Sequence, residues 1–251
     1  MKKLSTFITE KFRISKDNLK ELTYNYYPKT RSELEDLIDE LIKERGNDAN
    51  LNDIDTSEIT DMAQLFYYRS FNGDISKWDV SNVKDMSGLF RDSQFNGDIS
   101  SWDVHNVENM RYMFADTIFN GDISNWNVSN VNNMYGMFID SKFNGDISQW
   151  DVSNVTLMRA MFMDSQFNGD ISKWNVSKVE NMINMFKCSK FNGDISDWDV
   201  SNVKKMSWMF EGSKFNGDIS KWDVSNVKDM SGMFKDCSLK KNLPAWYFAW
   251  L

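Results

Sequence analysis

The sequence predicts a repeat solenoid closed at its amino-terminal end by a small α-helical cap. Three observations predict it. The words FNGDISKWDVSNVKDM begin at Phe71 and return, barely altered, at Phe95, Phe119, Phe143, Phe167, Phe191 and Phe215, a fixed step of 24 residues. A constant period of this size marks units that cannot bury an apolar face alone and do so by stacking. The apolar letters hold from copy to copy while a few others never settle, and residues 1–47 carry helix signals in place of the repeat.

The cap comes first in the chain and reads as two helices. Ser15 can cap the first, with Ile14 and Leu19 placed as a hydrophobic staple. The second opens on the capping box Thr30-x-x-Glu33 and closes at Gly46. Leu34, Leu37, Ile38, Leu41 and Ile42 fall on one face of it at helical spacing, a stripe suited to cover the open end of a stack.

The array occupies residues 48–251 in about eight coils, the last an atypical carboxyl-terminal cap. Backward, Asn50–Met62 overlays DISKWDVSNVKDM, with Leu51 for the Ile and Ile54 for the Trp; forward, LKKNLPAW (Leu239–Trp246) overlays FNGDISKW. End units that depart from the pattern are expected, because they face water on one side. Trp78 to Trp246, Phe66 to Phe234 and Met62 to Met230 each recur once per coil, with Ile75, Val80 and Val83 completing the apolar set. These side chains should stack into ladders, each aromatic burying ~150–250 Å². They read as core, not as a platform for sugars or bases.

The fixed polar letters also read structurally. The NG after each Phe suits a turn with positive φ, and Asp74 and its copies can cap the turn's N–H groups. Ser93 and its counterparts, replaced by Thr117 and Cys237, suggest a hydroxyl ladder bonding backbone between coils. A calcium ladder would relieve the repulsion between stacked aspartates and is the alternative, but one NGD per 24 residues is unlike a nonapeptide calcium repeat and the structural reading is preferred. No metal or cofactor is expected.

Written as M-x-x-M-F-x-x-S-x-F-N-G-D-I-S-x-W-x-V-S-N-V, the unit resembles a leucine-rich repeat. Its M-x-x-M-F-x-x-S-x-F stretch looks like the strand segment, and FNGDIS is similar to the L-x-G-x-I-P step of the 24-residue class. Over about 200 of the 251 residues the spelling resembles the BspA-like leucine-rich-repeat family of bacterial surface proteins. The resemblance implies a short parallel β-strand per coil, adhesion or binding without enzymatic activity, and a place at the cell surface.

Composition bounds the function. With 41 % hydrophobic and 26 % charged residues the chain is that of a folded protein. A net charge of −8 and an isoelectric point near 4.8 argue against nucleic acid, whose phosphates need a basic surface. Residues 1–31 carry eight Lys/Arg against three Asp/Glu, read as a solvated end. MKKLSTFITEKFRIS has no apolar run, so no signal peptide is expected and the chain reads as cytoplasmic or non-classically exported; no stretch is long enough to span a bilayer. Cys188 and Cys237 fall two coils apart, ~10 Å at ~4.8 Å per coil, beyond the ~7 Å Cα reach of a disulfide, and are expected free.

An enzyme is not expected. His105 is the only histidine and replaces a serine of the repeat, so it reads as a surface substitution, with no Ser–His–Asp triad, no Cys–His pair in register and no zinc cluster expected, and no phosphate-binding loop is present. The letters that vary lie after each leading Met. Among them Arg111, Tyr112, Tyr135, Ile139, Arg159, Met163, Ile183 and Trp208 are too apolar or too arginine-rich for an idle surface. They are the candidate binding residues, lining the strand face of a non-enzymatic protein that recognises a protein or surface glycan. The alternative is a structural spacer or assembly subunit that uses its ends or the closing AWYFAWL as contacts.

Overall fold

The computed structural model describes residues 24–241 and 243–250. The helix expected at Ser15 lies outside the described residues. Helix α1 (Arg31–Arg45) follows the capping signals: the Thr30 hydroxyl accepts from the Glu33 N–H at 3.2 Å, and Glu33 reaches back to the N–H of Lys29 at 2.8 Å. Gly46, at φ 89°, closes the helix and donates to the Ile42 carbonyl at 2.8 Å. Leu34, Leu37, Ile38 and Leu41 are buried and join one continuous apolar cluster with the repeats. Polar ties seat the helix on the first unit: Arg31 Nε donates to the Ala63 carbonyl at 2.7 Å, and Arg69 pairs with Asp39.

Beyond α1 the 24-residue units stack in parallel register. Single-residue bridges run Asp61, Asp85, Asn109, Asn133, Leu157, Asn181, Lys205, Asp229, each to the equivalent residue one unit on. The strand expected at M-x-x-M-F contracts to that one bridge, for a backbone reason. Two residues per unit, such as Tyr112 (φ 56°) and Asp116 (φ 56°), take left-handed conformations and interrupt the extended run. The interstrand pattern of bonds nevertheless survives. The N–H groups of Met110, Tyr112, Phe114 and Asp116 donate to carbonyls of the next unit at 2.7–3.0 Å, while those of Met113 and Ala115 close local turns. What a strand would supply in hydrogen bonds, a train of turns supplies here.

Aromatic ladders fill the interior. Phe119 stacks on Phe143 at 6.3 Å and 7°, Phe114 on Phe138 at 5.8 Å and 6°, and Phe138 meets Phe143 of its own unit at 4.5 Å. All are fully buried. At ~25 cal/mol per Å² each ring contributes about 4–6 kcal/mol of gross transfer free energy. Every indole of the ladder from Trp78 to Trp246 is satisfied in the same way: Trp150 Nε1 donates to the Ile123 carbonyl one unit back at 3.1 Å, and Trp174 to Ile147 at 3.0 Å. The tryptophan is therefore both core and stitch, which is why Trp and not Phe recurs at this position.

Two smaller expectations need correcting, and a third holds. The glycine of NGD does not have positive φ. It is glycine because a Cβ on Gly145 would stand 2.9 Å from the Phe143 ring, against a wall the ladder fixes. The preceding Asn links units instead: Asn120 Oδ1 accepts the N–H of Asn144 at 2.8 Å, and the pattern repeats along the stack. Most members of the hydroxyl ladder bond within their own unit, as where Ser141 Oγ accepts from Phe143 N–H at 3.2 Å, and only at the carboxyl end does the ladder reach between units, Cys237 Sγ standing 3.4 Å from the Phe215 carbonyl and 3.5 Å from Ser213 Oγ. The aspartates do cap: Asp146 Oδ1 accepts from Ser148 N–H at 2.9 Å.

At the carboxyl end a 3₁₀ turn (Ser238–Lys241) and helix α2 (Ala245–Phe248) replace the next unit. Trp246 keeps its register, Nε1 donating to the Ile219 carbonyl at 2.9 Å, and Tyr247 sets its edge on Phe234 at 4.9 Å. Cys188 and Cys237 are free thiols, the first exposed and the second buried.

Candidate binding face

The variable letters form three columns along one side of the stack, and their side chains fit one another. In the column Gln64, Gly88, Tyr112, Gly136, Ala160, Asn184, Trp208, Gly232, large residues lie over small ones. A Cβ on Gly136 would stand 2.4 Å from the Tyr112 ring, and one on Gly232 2.5 Å from Trp208. These residues sit at the left-handed position of each unit, which turns the side chain along the stack toward its neighbour. The variation is thus partly packing: a bulky residue in one unit requires a small one in the next.

From this packing a row of rings and guanidinium groups emerges. Arg91 lies over Tyr67 at 5.5 Å and over Tyr112 at 5.0 Å. Arg111 lies over Tyr112 at 4.9 Å and Tyr135 at 5.0 Å, and Arg159 over Tyr135 at 5.3 Å. Tyr112 and Tyr135 themselves meet at 4.7 Å. Burial and the neighbouring Tyr135 hydroxyl hold the Tyr112 phenol above its ordinary pKa. Each such cation–π contact is worth ~0.5–1 kcal/mol at an exposed site, so the row is pre-ordered.

The expected site residues divide on this map. Arg111, Tyr112, Tyr135 and Arg159 join the row, and Ile139 borders it beside Gly136. Met163 and Ile183 are half-buried, and Trp208 stands apart over Gly232, 41 % exposed. Sequence reasoning passed over Arg91 and Tyr67. The signal was register: Tyr67 and Arg91 occupy the same column as Ile139 and Met163.

Charge is arranged around the row. Lys187 and Lys235 both clasp Glu211, at 2.6 and 2.9 Å, and Arg91 Nε stands 3.3 Å from Asp92. Arg111 and Arg159 have no carboxylate partner among the described residues. Beside the row runs Asp92, Asp116, Asp140 and Asp164; burial, then the neighbouring aspartates, raise the pKa of Asp116 and Asp164. His105 is half-buried, its Nδ1 2.8 Å from Asp103 Oδ1. Among the described residues no three His, Cys, Asp or Glu side chains gather where they could hold a metal ion, and no helix is long and apolar enough to cross a membrane.

On the NGD side the carboxylates behave oppositely. Backbone N–H groups two residues on hold Asp98, Asp122, Asp146, Asp170, Asp194 and Asp218 below the usual carboxylate range. Their stabilising share is present above the unfolded value of ~4 and drains away as pH falls through the lowered folded values. Acid unfolding followed by near-ultraviolet circular dichroism should therefore set in below about pH 4. Asp146→Asn, which keeps an acceptor but cannot titrate, should leave neutral-pH stability nearly unaltered and shift the acid midpoint downward. Asn127 already plays this part in the WDVS row, accepting from Ser129 N–H at 3.2 Å.

A family model described as "Mycoplasma protein of unknown function, DUF285" matches residues 37–142, 115–189 and 138–246. The matches overlap as a repeated unit makes them do, and together they take in α1 from Leu37 onward and the stack. No curated protein and no solved structure matches the chain.

Proposed function

We propose, from the premise that the chain belongs to the DUF285 family of Mycoplasma proteins, that it is a non-enzymatic binding protein whose partner docks on the arginine–tyrosine face. The row Arg91–Tyr112–Arg111–Tyr135–Arg159 carries this reading. Arg and Tyr are enriched where interfaces concentrate their energy, and the row pre-orders both at little further entropic cost. Its repeat is a leucine-rich-repeat-like solenoid of the BspA-like kind, a reading supported by the parallel 24-residue register and by the spelling of the unit. Adhesion to a protein or surface glycan, and not to nucleic acid, follows from that resemblance and from the acidic composition.

A second reading, a spacer or assembly subunit, draws on Phe248 and Trp250 at the carboxyl end, 61 % and 39 % exposed. The two separate in one experiment. Replacing Tyr112, Tyr135 and Trp208 together by Ser should abolish capture of partners from a host-surface extract while lowering the Tm by only a few degrees, since these side chains are half-exposed. Full capture by the triple variant would remove the face from the function, and a collapse of the Tm would make these residues part of the fold.

A further inference from the structure

Gly88 leaves a gap in the column of large side chains. Above it a hollow of about 170 Å³ opens, lined by Gln64, Ser87, Gly88, Arg91, Arg111 and Tyr112. Gln64, one unit back, comes within 3.3 Å of where a Cβ on Gly88 would stand and forms a close floor to the hollow, but no ring lies over Gly88 as Tyr112 lies over Gly136. Two guanidinium groups border the hollow, and both are held against the same Tyr112 ring, at 5.0 and 4.9 Å. A third follows along the stack. Arg111 and Arg159 each lie about 5 Å from the Tyr135 ring centre, so they stand no more than about 10 Å apart with that ring between them.

We propose that the hollow over Gly88, with Arg111 at its rim and Arg159 farther along the row, recognises two carboxylates of an extended acidic segment of a partner protein. The proposal rests on the binding reading above and names the partner's chemistry. Charge complementarity selects it. The chain has 37 Asp/Glu against 29 Lys/Arg, yet Arg111 and Arg159 have no carboxylate partner among the described residues while Lys187 and Lys235 share Glu211. Arg91 is partly answered by Asp92 at 3.3 Å, which leaves Arg111 as the principal donor at the hollow. A guanidinium presents its N–H edge outward when its face is stacked, the geometry that grips a carboxylate with two bonds.

A protein segment fits better than a glycan. Sugars would need free ring faces, and the faces of Tyr112 and Tyr135 are met by guanidinium groups. The half-buried Ile139 and Met163 and the exposed Leu157 border the row and suit apolar side chains of a peptide. The spacing is also a peptide's. In an extended polyproline-type chain, residues three apart lie on one side ~9 Å apart, within the limit of about 10 Å on the separation of Arg111 and Arg159.

The test is fluorescence anisotropy of a labelled (Glu-Pro-Pro)₄ peptide on the full chain, with (Lys-Pro-Pro)₄, heparin and a single-stranded RNA as comparators. The acidic peptide alone should bind, and raising salt from 50 to 500 mM should weaken it. Arg111→Glu and Arg159→Glu should each lower affinity by about tenfold or more. Equal binding by Arg111→Glu, absence of acidic-peptide binding, or preference for heparin or RNA would overturn the proposal. Retained capture of a host partner alongside any of these results would leave the binding reading standing; loss of both would end both.

Discussion

Replacing Phe138 by Ala is expected to lower the unfolding free energy by about 3–5 kcal/mol. The ring is fully buried and contacted on every side: Phe114 at 5.8 Å, Phe162 at 5.7 Å, Phe143 at 4.5 Å and Trp150 at 6.5 Å. Neighbouring ladders hold these rings in place, so the space cannot collapse and the cavity term is felt in full. The position is also central. In a stack each unit touches only its neighbours, so a weakened interface mid-array should broaden the chemical denaturation curve as well as shift it. A loss under about 1 kcal/mol would mean that the phenylalanine ladder is not what holds the units together.

The second large effect belongs to the cap. Leu37→Asp places a carboxylate at a position with no solvent exposure, inside the cluster that α1 shares with the repeats. An unpaired buried charge costs about 3–5 kcal/mol, enough to detach a helix of 15 residues. Hydrogen exchange should then rise across residues 31–45 while the amides of Phe138 and Phe162, bonded to the next unit, keep their protection. Uniform loss of protection along the chain would show that α1 is integral to the stack and not a separable cover.

Much of this was legible in the letters. The 24-residue step gave the stacking register, since residues 24 apart in sequence are those that pair as bridges. Thr30, Glu33 and Gly46 marked α1 because capping is a local matter of a few backbone groups. The strand was not legible, because its loss depends on φ at two positions per unit. Even there a trace existed: Asp and Gly dominate the second position, from Asp92 to Asp236, and both tolerate the left-handed region. Reading NG as the positive-φ site missed that the Phe143 ring excludes a Cβ at Gly145, a contact visible only in three dimensions.

The candidate face was read by residue type and only half by arrangement. Arginine and tyrosine in drifting columns were visible, but their assembly into one row was not. Arg91 reaches Tyr112 from a different column, and that zigzag depends on where each side chain leans. The pairing of Tyr112 with Gly136 and Trp208 with Gly232 was in the sequence as an alternation of large and absent side chains. It could have been found by comparing each column with itself one unit on.

The central claim is that the repeated words build the stack and the unsettled letters carry recognition. One paired measurement tests it: partner capture and thermal unfolding on Phe138→Ala and on the Tyr112/Tyr135/Trp208→Ser variant, side by side with the parent chain. The account predicts that the first loses Tm yet still captures partner while folded, and that the second keeps its Tm within a few degrees and captures nothing. The reverse pattern, or loss of both properties in both variants, would contradict it.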